Sequence, residues 1–368
     1  MNEGGDIAIH TPLWIRHRMG YHTKPYPKCA KTHCPDRPRN IEKYMSETGT
    51  AVSRIQFRDP DHLVGAIRGG HIEPWVLGGH RAESELSRIM LPGSCLDQAE
   101  IGSAMWFRGE MPKDCYTMVY VTACPEDGNS FNFNTRHRDR CLGFFAPGEA
   151  LDATTPPGYR HGTLSIPASV FQHAVESRYP EFAEKSLKRG RSIFPEENAC
   201  RNASALLAGI METVRSEPDL FAGEATRATV ENELHDRYFD LLRKDQANPM
   251  AKGNPGITRR YQRLRLLRDF IRENTHRTIR MNELCLVSGL SRRGLEYLFM
   301  DVLGVGVAAF LHNLRLHGAR RELQATEPRH GSVKGCALNW GFWHLGRFAS
   351  EYRALFGENP SETLSRNP

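Results

Sequence analysis

Two hydrophobic periods divide the chain. From about Thr50 to Pro167, apolar and polar residues alternate in the short runs TAVSRIQF, HLVGAI, LSRIML, MWFRG, CYTMVYVTA, FNFNT, LGFFAPG and YRHGTLSIP. Glycines, prolines and acidic turns such as Pro125-Glu126-Asp127-Gly128 separate them. A period of two marks strands, and many short strands at this spacing predict a β-sandwich or barrel. The period then becomes helical. Ala203, Leu206, Leu207, Ile210, Met211 and Val214 share one face over 199–214; Val230, Leu234, Tyr238, Leu241 and Leu242 share one over 224–245. The second stripe fits two uses, packing on the β-domain or forming a dimer interface through Val230, Leu234, Tyr238 and Leu241.

Punctuation sets the domain plan. Pro12, Pro25, Pro27, Pro35 and Pro38 stand among basic residues and histidines without sustained periodicity, so residues 1–45 read as a loosely ordered basic arm. Residues 46–245 read as one domain, strands over 46–167 and helices over 168–245. The stretch 246–256, QANPMAKGNPG, holds two prolines and two glycines without apolar clustering, and reads as a linker. Residues 257–368 form a last, helical domain. No apolar run approaches 18 residues, so no membrane span is expected. MNEGGDIAIHTPLWIRHRMG has early acids and no apolar core, so no secretory signal is expected either. Nine scattered cysteines suit a reducing cytoplasm better than a disulfide scaffold.

Charge changes the picture of the last domain. The 368 residues carry a net charge of +6. Residues 257–368 hold 18 basic and 10 acidic side chains, a net of +8, and the remainder is at −2. Lys334 is the only lysine among those 18; the rest are arginines, whose planar fork suits phosphate and guanine. A basic domain joined to a near-neutral one suggests a polyanion-binding module attached to a sensor or partner module.

The same third contains an internal repeat, MNELCLVSGLSRRGLEYLFMDVLGVGV and VKGCALNWGFWHLGRFASEYRALFGENP. Cys285/Gly289 aligns with Ala337/Gly341, and Leu295/Phe299 with Phe348/Tyr352, each pair four apart; Gly304 and Gly357 follow five residues later. A helix-turn-helix crosses two helices steeply, so a small side chain must face the crossing and the turn needs a residue tolerant of positive φ. Apolar anchors at i and i+4 fix the second helix and leave its other face free for a major groove.

With these residues the segment 257–361 resembles the AraC/XylS family of bacterial transcription regulators. The resemblance includes Arg315-Leu-His-Gly-Ala-Arg-Arg-Glu-Leu323 between the motifs, Trp340-Gly-Phe342, and the closing Phe356-Gly-Glu-Asn-Pro-Ser361. NWGFWHLGRFASEYRALFGENPS is most similar to the branch containing the ethanolamine-operon regulator. The resemblance implies seven helices carrying two helix-turn-helix units on one connecting helix; the 53-residue spacing of Phe299 and Tyr352 fits it. The two recognition helices would enter successive major grooves about 34 Å apart. It also implies an N-terminal cupin-like β-domain with a helical dimerisation segment, hence an α+β chain. The implied partners are a double-stranded DNA operator, a small-molecule effector, RNA polymerase and a second copy of the chain, in the cytoplasm, with no cofactor.

Ser291 is a suitable N-cap for the first recognition helix. With Leu295, Leu298 and Phe299 inward, Arg292, Arg293, Glu296, Tyr297 and Met300 face out. The family pattern places Arg293, Glu296 and Tyr297 at base-contacting positions: Arg293 could fork onto guanine, Glu296 accept from cytosine, and Tyr297 reach a phosphate or base edge. Arg292 fits a phosphate. The second helix presents Leu345, Gly346, Ala349 and Ser350, so His344, Arg347 and Ser350 are its hydrogen-bonding candidates and Leu345 or Ala349 a thymine-methyl contact. This helix is expected to contribute mainly position and shape readout. Arg315, Arg320 and Arg321 on the connecting helix serve phosphates or intradomain carboxylates.

Candidate effector contacts are the barrel aromatics Trp75, Trp106, Phe107, Tyr120 and Phe144. His71-Ile-Glu73 with His80 faintly echoes a cupin metal site, and Cys29, His33 and Cys34 form a thiol–imidazole group without zinc-knuckle intervals. No metal is expected at either. No GxSxG, Walker A or GxGxxG pattern supports hydrolase or nucleotide chemistry. The sequence therefore predicts a ligand-responsive, sequence-specific transcription regulator without enzymatic activity. The alternatives are a cupin-type metalloenzyme fused to a DNA-tethering domain and a constitutive regulator with no effector. An activator is expected, although the residues do not separate activation from repression.

Overall fold

The computed structural model describes residues 51–57, 70–78, 83–125, 130–132, 135–137, 139–182, 187, 189–245, 255–274, 276–326 and 332–366. The arm 1–45 with Cys29, His33 and Cys34, His80, and most of the linker lie outside the described residues. The described chain is α+β, with a β-rich N-terminal part and a helical C-terminal part.

Twelve strands come first: β1 (Val52–Phe57), β2 (His71–Gly78), β3 (Ser84–Met90), β4 (Cys95–Ile101), β5 (Ala104–Glu110), β6 (Cys115–Ala123), β7 (Ser130–Asn132), β8 (Thr135–His137), β9 (Leu142–Phe145), β10 (Ala150–Thr155), β11 (Tyr159–Pro167) and, further on, β12 (Arg191–Ile193). They form two antiparallel sheets, β1-β3-β4-β11-β6-β9-β12 and β2-β5-β10-β7-β8, which face each other as a sandwich. Ile72, Leu86, Met105, Phe107, Val121 and Phe145 fill part of the space between them.

Each sheet is also covered on its outer face, so alternate residues of one strand enter different cores. Helices α1 (Ala168–Arg178), α2 (Glu197–Ser216) and α3 (Glu224–Arg243) cover the seven-stranded sheet. On β6, Met118 and Tyr120 enter this outer core, where Tyr120 donates to the Cys200 carbonyl at 2.9 Å. On β11, Gly162 lets the helices come close: an added Cβ would lie 2.9 Å from Leu207 and 3.0 Å from the Tyr238 hydroxyl. That hydroxyl donates to the Gly162 carbonyl at 2.9 Å. Val230, Leu234, Tyr238 and Leu241 therefore take the first of their two expected uses. The last three are fully buried against the sheet, Val230 packs beside them, and the stripe is spent inside the chain.

Seven described helices follow: α4 (Pro255–Glu273), α5 (Met281–Ser288), α6 (Arg292–Leu303), α7 (Val307–Ala325), α8 (Val333–Asn339), α9 (Leu345–Phe356) and α10 (Pro360–Ser365). The connecting helix α7 spans two cores. Val307, Phe310 and Leu314 pack with Leu295, Leu298 and Phe299 of α6, while Leu316, Ala319 and Leu323 pack with Trp340, Phe348 and Tyr352. Arg320, one of the arginines left open between phosphate and carboxylate, is buried against Phe356 and pairs with Glu358 at 3.3 Å.

The outer face of the five-stranded sheet is covered by the helical domain. Trp75 and Trp106 share one core with Leu264, Leu267, Phe299 and Phe310. Asp152 of β10 accepts from the Trp106 indole at 2.8 Å and from Arg268 of α4 at 2.5 Å. One face of α7 closes over the edge strand β2: Asn313 donates to the Leu77 carbonyl at 2.6 Å, His317 stacks on Trp75, and the Arg321 guanidinium lies 5.5 Å from the same indole. Covering an edge strand in this way removes a site for unwanted pairing. Among the described residues no single helix is long and apolar enough to cross a membrane.

Gly318 measures how tightly α7 holds the second motif. A Cβ there would sit 2.3 Å from the Trp340 ring, whereas one at Gly209, exposed on α2, would meet nothing within 4 Å. Urea denaturation should show Gly318→Ala destabilising by about 1–3 kcal/mol. Gly209→Ala should stabilise by about 0.5–1 kcal/mol, the helix-propensity difference alone. A Gly318→Ala protein as stable as the parent would contradict this packing.

Candidate functional site

The first motif pairs α5 with α6 through Gly289, whose φ of 64° lies in the left-handed region. Ser291 caps α6, its hydroxyl accepting from the Gly294 amide at 3.2 Å. With Leu295, Leu298, Phe299 and Val302 buried, the outer face carries Arg292, Arg293, Tyr297 and Met300. Tyr297 is 64% exposed, large for an aromatic, and Arg293 donates to its hydroxyl at 3.3 Å with the guanidinium 5.7 Å from the ring. These two side chains brace each other on an open helix face. Glu296 does something else: half-buried, it accepts from the Val307 amide at 3.2 Å and so caps the connecting helix. An anion suits a helix N-terminus, and this bond competes with the base contact that the family pattern suggested.

The second motif repeats the construction with other chemistry. Ser332 caps α8 by accepting from Gly335 at 2.9 Å, and Gly341 turns the chain at φ 77°. His344, Leu345, Arg347 and Ser350 are all exposed, and Ala349 is half-buried. Arg347 is held back along its own helix by Glu351 at 2.9 Å, which also takes His312 at 3.1 Å. Trp343 is the residue the sequence reading missed. It is 76% exposed just before α9, while its neighbour Phe342 is buried. The run WGFW gave no reason to separate the two aromatics; only the turn geometry does. Its indole N–H adds a donor to a surface otherwise short of them.

Between the β-sheets lies a cavity of about 570 Å³. Of the five aromatics proposed as effector contacts, Phe107 alone lines it. Trp75 and Trp106 face the helical domain, and Tyr120 and Phe144 face α1–α3. The correction follows from strand parity: both sheets are buried on both faces, so a large aromatic need not point inward. The cavity wall from the seven-stranded sheet is polar. Arg88 of β3 and Asp97 of β4, directly paired in register, make a bidentate ion pair with two contacts of 2.6 Å. Thr163, Ser165, Thr117 and His161 continue this wall, and burial pushes the His161 imidazole down to about 4, so it is neutral near pH 7. The opposite wall is largely apolar, with Ile72, Phe107, Leu151 and Ala153. His71 and Glu73, the described part of the cupin metal echo, are exposed and alternate with Ile72 on β2, away from the cavity. Among the described residues no three His, Cys, Asp or Glu side chains stand together as metal ligands.

A family model described as a helix-turn-helix domain matches residues 284–366. The chain is 38% identical over 234 residues to the XylDLEGF operon transcriptional activator 1 of Pseudomonas putida, covering 60% of this chain and 68% of that protein. The chain belongs to the AraC family of transcription regulators. It is also 33% identical over 114 residues to a probable thc operon regulatory protein of Rhodococcus erythropolis, about a third of either length. A probable AraC family regulator from Rhodopseudomonas palustris CGA009 is 37% identical over 29% of this chain and 97% of that one, with a TM-score of 0.26. The AraC-like activator CuxR is 13% identical over 74% and 95%, with a TM-score of 0.38. As an AraC-family member the protein is a DNA-binding transcription regulator.

Proposed function

We propose that a small molecule in the β-domain cavity controls this regulator, and that α6 supplies most of its sequence reading. One observation carries the first part. The sheet β2-β5-β10 forms the cavity's apolar wall through Phe107, Leu151 and Ala153 and grips the helical domain through Trp75, Trp106 and Asp152 on its other face. A ligand pressing on one face shifts residues that are sequence neighbours of the clamp. Effector and operator are then linked by a coupling free energy, which is reciprocal. The domain plan follows the sequence reading: effector sensing within 46–245, a linker over 246–256, DNA binding over 257–368. A homodimer would have to use surfaces other than the spent stripe of α3, and RNA polymerase contact is the family's implied output. Placing the second motif in the ethanolamine-operon branch belongs to this proposal, and names no ligand.

In the DNA reading, Arg293 and Tyr297 contact bases and Arg292 a phosphate. Around α9, His344, Arg347 and Ser350 position the domain while Leu345 and Trp343 give apolar contact. Arg293→Ala should cost about 1–3 kcal/mol of specific binding, measured on an operator selected from random DNA, with little change in non-specific affinity. An unchanged ratio of the two affinities would reject the base contact. Ala153→Phe fills the cavity without touching DNA, and should change operator affinity at least about fivefold, the lower end of ordinary coupling energies. A folded Ala153→Phe protein with parental operator affinity would reject effector control through this sheet.

A further inference from the structure

The cavity has a definite charge character. Among the described lining residues Arg88 and Asp97 cancel each other, with side chains 6% and 15% exposed, while Asp114, the other lining carboxylate, is exposed. Their two short contacts lock the guanidinium edge-on to the carboxylate, the strongest geometry such a pair has. Three other lining atoms are buried with no hydrogen-bond partner in the protein: Nδ1 of His161 and the hydroxyls of Thr117 and Thr155. A buried polar atom without a partner is costly, so these atoms point to something that pairs with them. All three are neutral groups, and each hydroxyl can donate or accept. Thr117 and His161 belong to the polar wall; Thr155 reaches in from the opposite sheet. Between them the apolar wall presents Phe107, and Phe145 and Tyr159 also line the space.

We infer that the cavity takes an uncharged, flat, aromatic ligand bearing amide or hydroxyl groups, and that the Arg88–Asp97 pair is the device that rejects charged analogues. This deepens the effector reading above and rests on it. A carboxylate entering the cavity would be desolvated beside Asp97, and would find the Nε–Nη2 edge of Arg88 already taken by a carboxylate in both positions. An ammonium would meet the same obstacle with the roles exchanged. Taking either ion out of water without a new partner costs far more than it returns. A neutral amide or hydroxyl instead pairs with the two threonines and the imidazole, while its ring lies against Phe107. The specificity is therefore negative as well as positive, since the pair closes the site to ions.

The test uses three probes that share one ring and differ in charge, 2-naphthamide, 2-naphthoate and 2-naphthylmethylamine, titrated calorimetrically into the full chain at neutral pH. The amide is expected to bind at least tenfold tighter than either ion. Asp97→Asn removes the carboxylate that occupies Arg88, and should invert the order so that 2-naphthoate binds tightest. Should Asp97→Asn not fold, Arg88→Gln frees Asp97 instead, and should make 2-naphthylmethylamine the tightest of the three. Equal or tighter binding of 2-naphthoate by the parent protein overturns the inference, as does an unchanged order in folded Asp97→Asn. Failure of all three probes to bind overturns the aromatic-amide assignment; effector control itself stands or falls separately on the operator affinity of Ala153→Phe.

Discussion

Trp106 and Phe107 are adjacent in sequence and belong to different cores. Because side chains alternate across a strand, Phe107 points into the cavity and Trp106 into the core shared with the helical domain. Burial of β5 on both faces is the constraint on which the molecule is built. Both halves of the chain are needed to cover the apolar surface that this strand presents. The Trp106 indole and the Arg268 guanidinium converge on one carboxylate, Asp152, which satisfies polar groups that this packing takes out of water.

The helical domain depends on an equivalent economy. Helix α7 runs between the two motifs and serves each in turn, so their relative placement is set by one rigid element. Gly318 admits the Trp340 ring, and Arg320 with Arg366 neutralises the buried Glu358 beside it. Glu296 caps α7 from the recognition helix itself, tying the first reading surface to the connector. The faces left for DNA carry Arg292, Arg293, Tyr297 and Met300 on one motif, and Trp343, His344, Leu345, Arg347 and Ser350 on the other.

The DNA-binding half was legible in the sequence because its rules are local. Glycines at Gly289, Gly341, Gly304 and Gly357 all adopt positive φ, and the four-residue anchors Leu295/Phe299 and Phe348/Tyr352 are buried as the repeat required. The helical stripes of α2 and α3 were equally plain, though periodicity could not say whether sheet or partner would cover them. Reading the cavity from sequence fared worse for a physical reason. A strand buried on one face shows which side is inward; MWFRG and CYTMVYVTA are apolar on both sides, so size and aromaticity favoured Trp106 and Tyr120 over Thr117 and His161. The Arg88–Asp97 pair joins residues nine apart on neighbouring strands, a contact set by register and invisible to spacing. Trp343 was hidden by its neighbours in the same way.

The central claim is that sheet β2-β5-β10 makes the two halves one cooperative body, as a shared core must if it transmits ligand occupancy. Hydrogen exchange of the full chain across a urea series tests it, following peptides from β5 and β10 against peptides from α6 and α7. The account predicts coincident loss of protection in the parent protein, and separated transitions in Trp106→Ala, where truncating a buried tryptophan costs about 3–5 kcal/mol of that core. Helical peptides of the parent protein opening at clearly lower urea than the strands would contradict it.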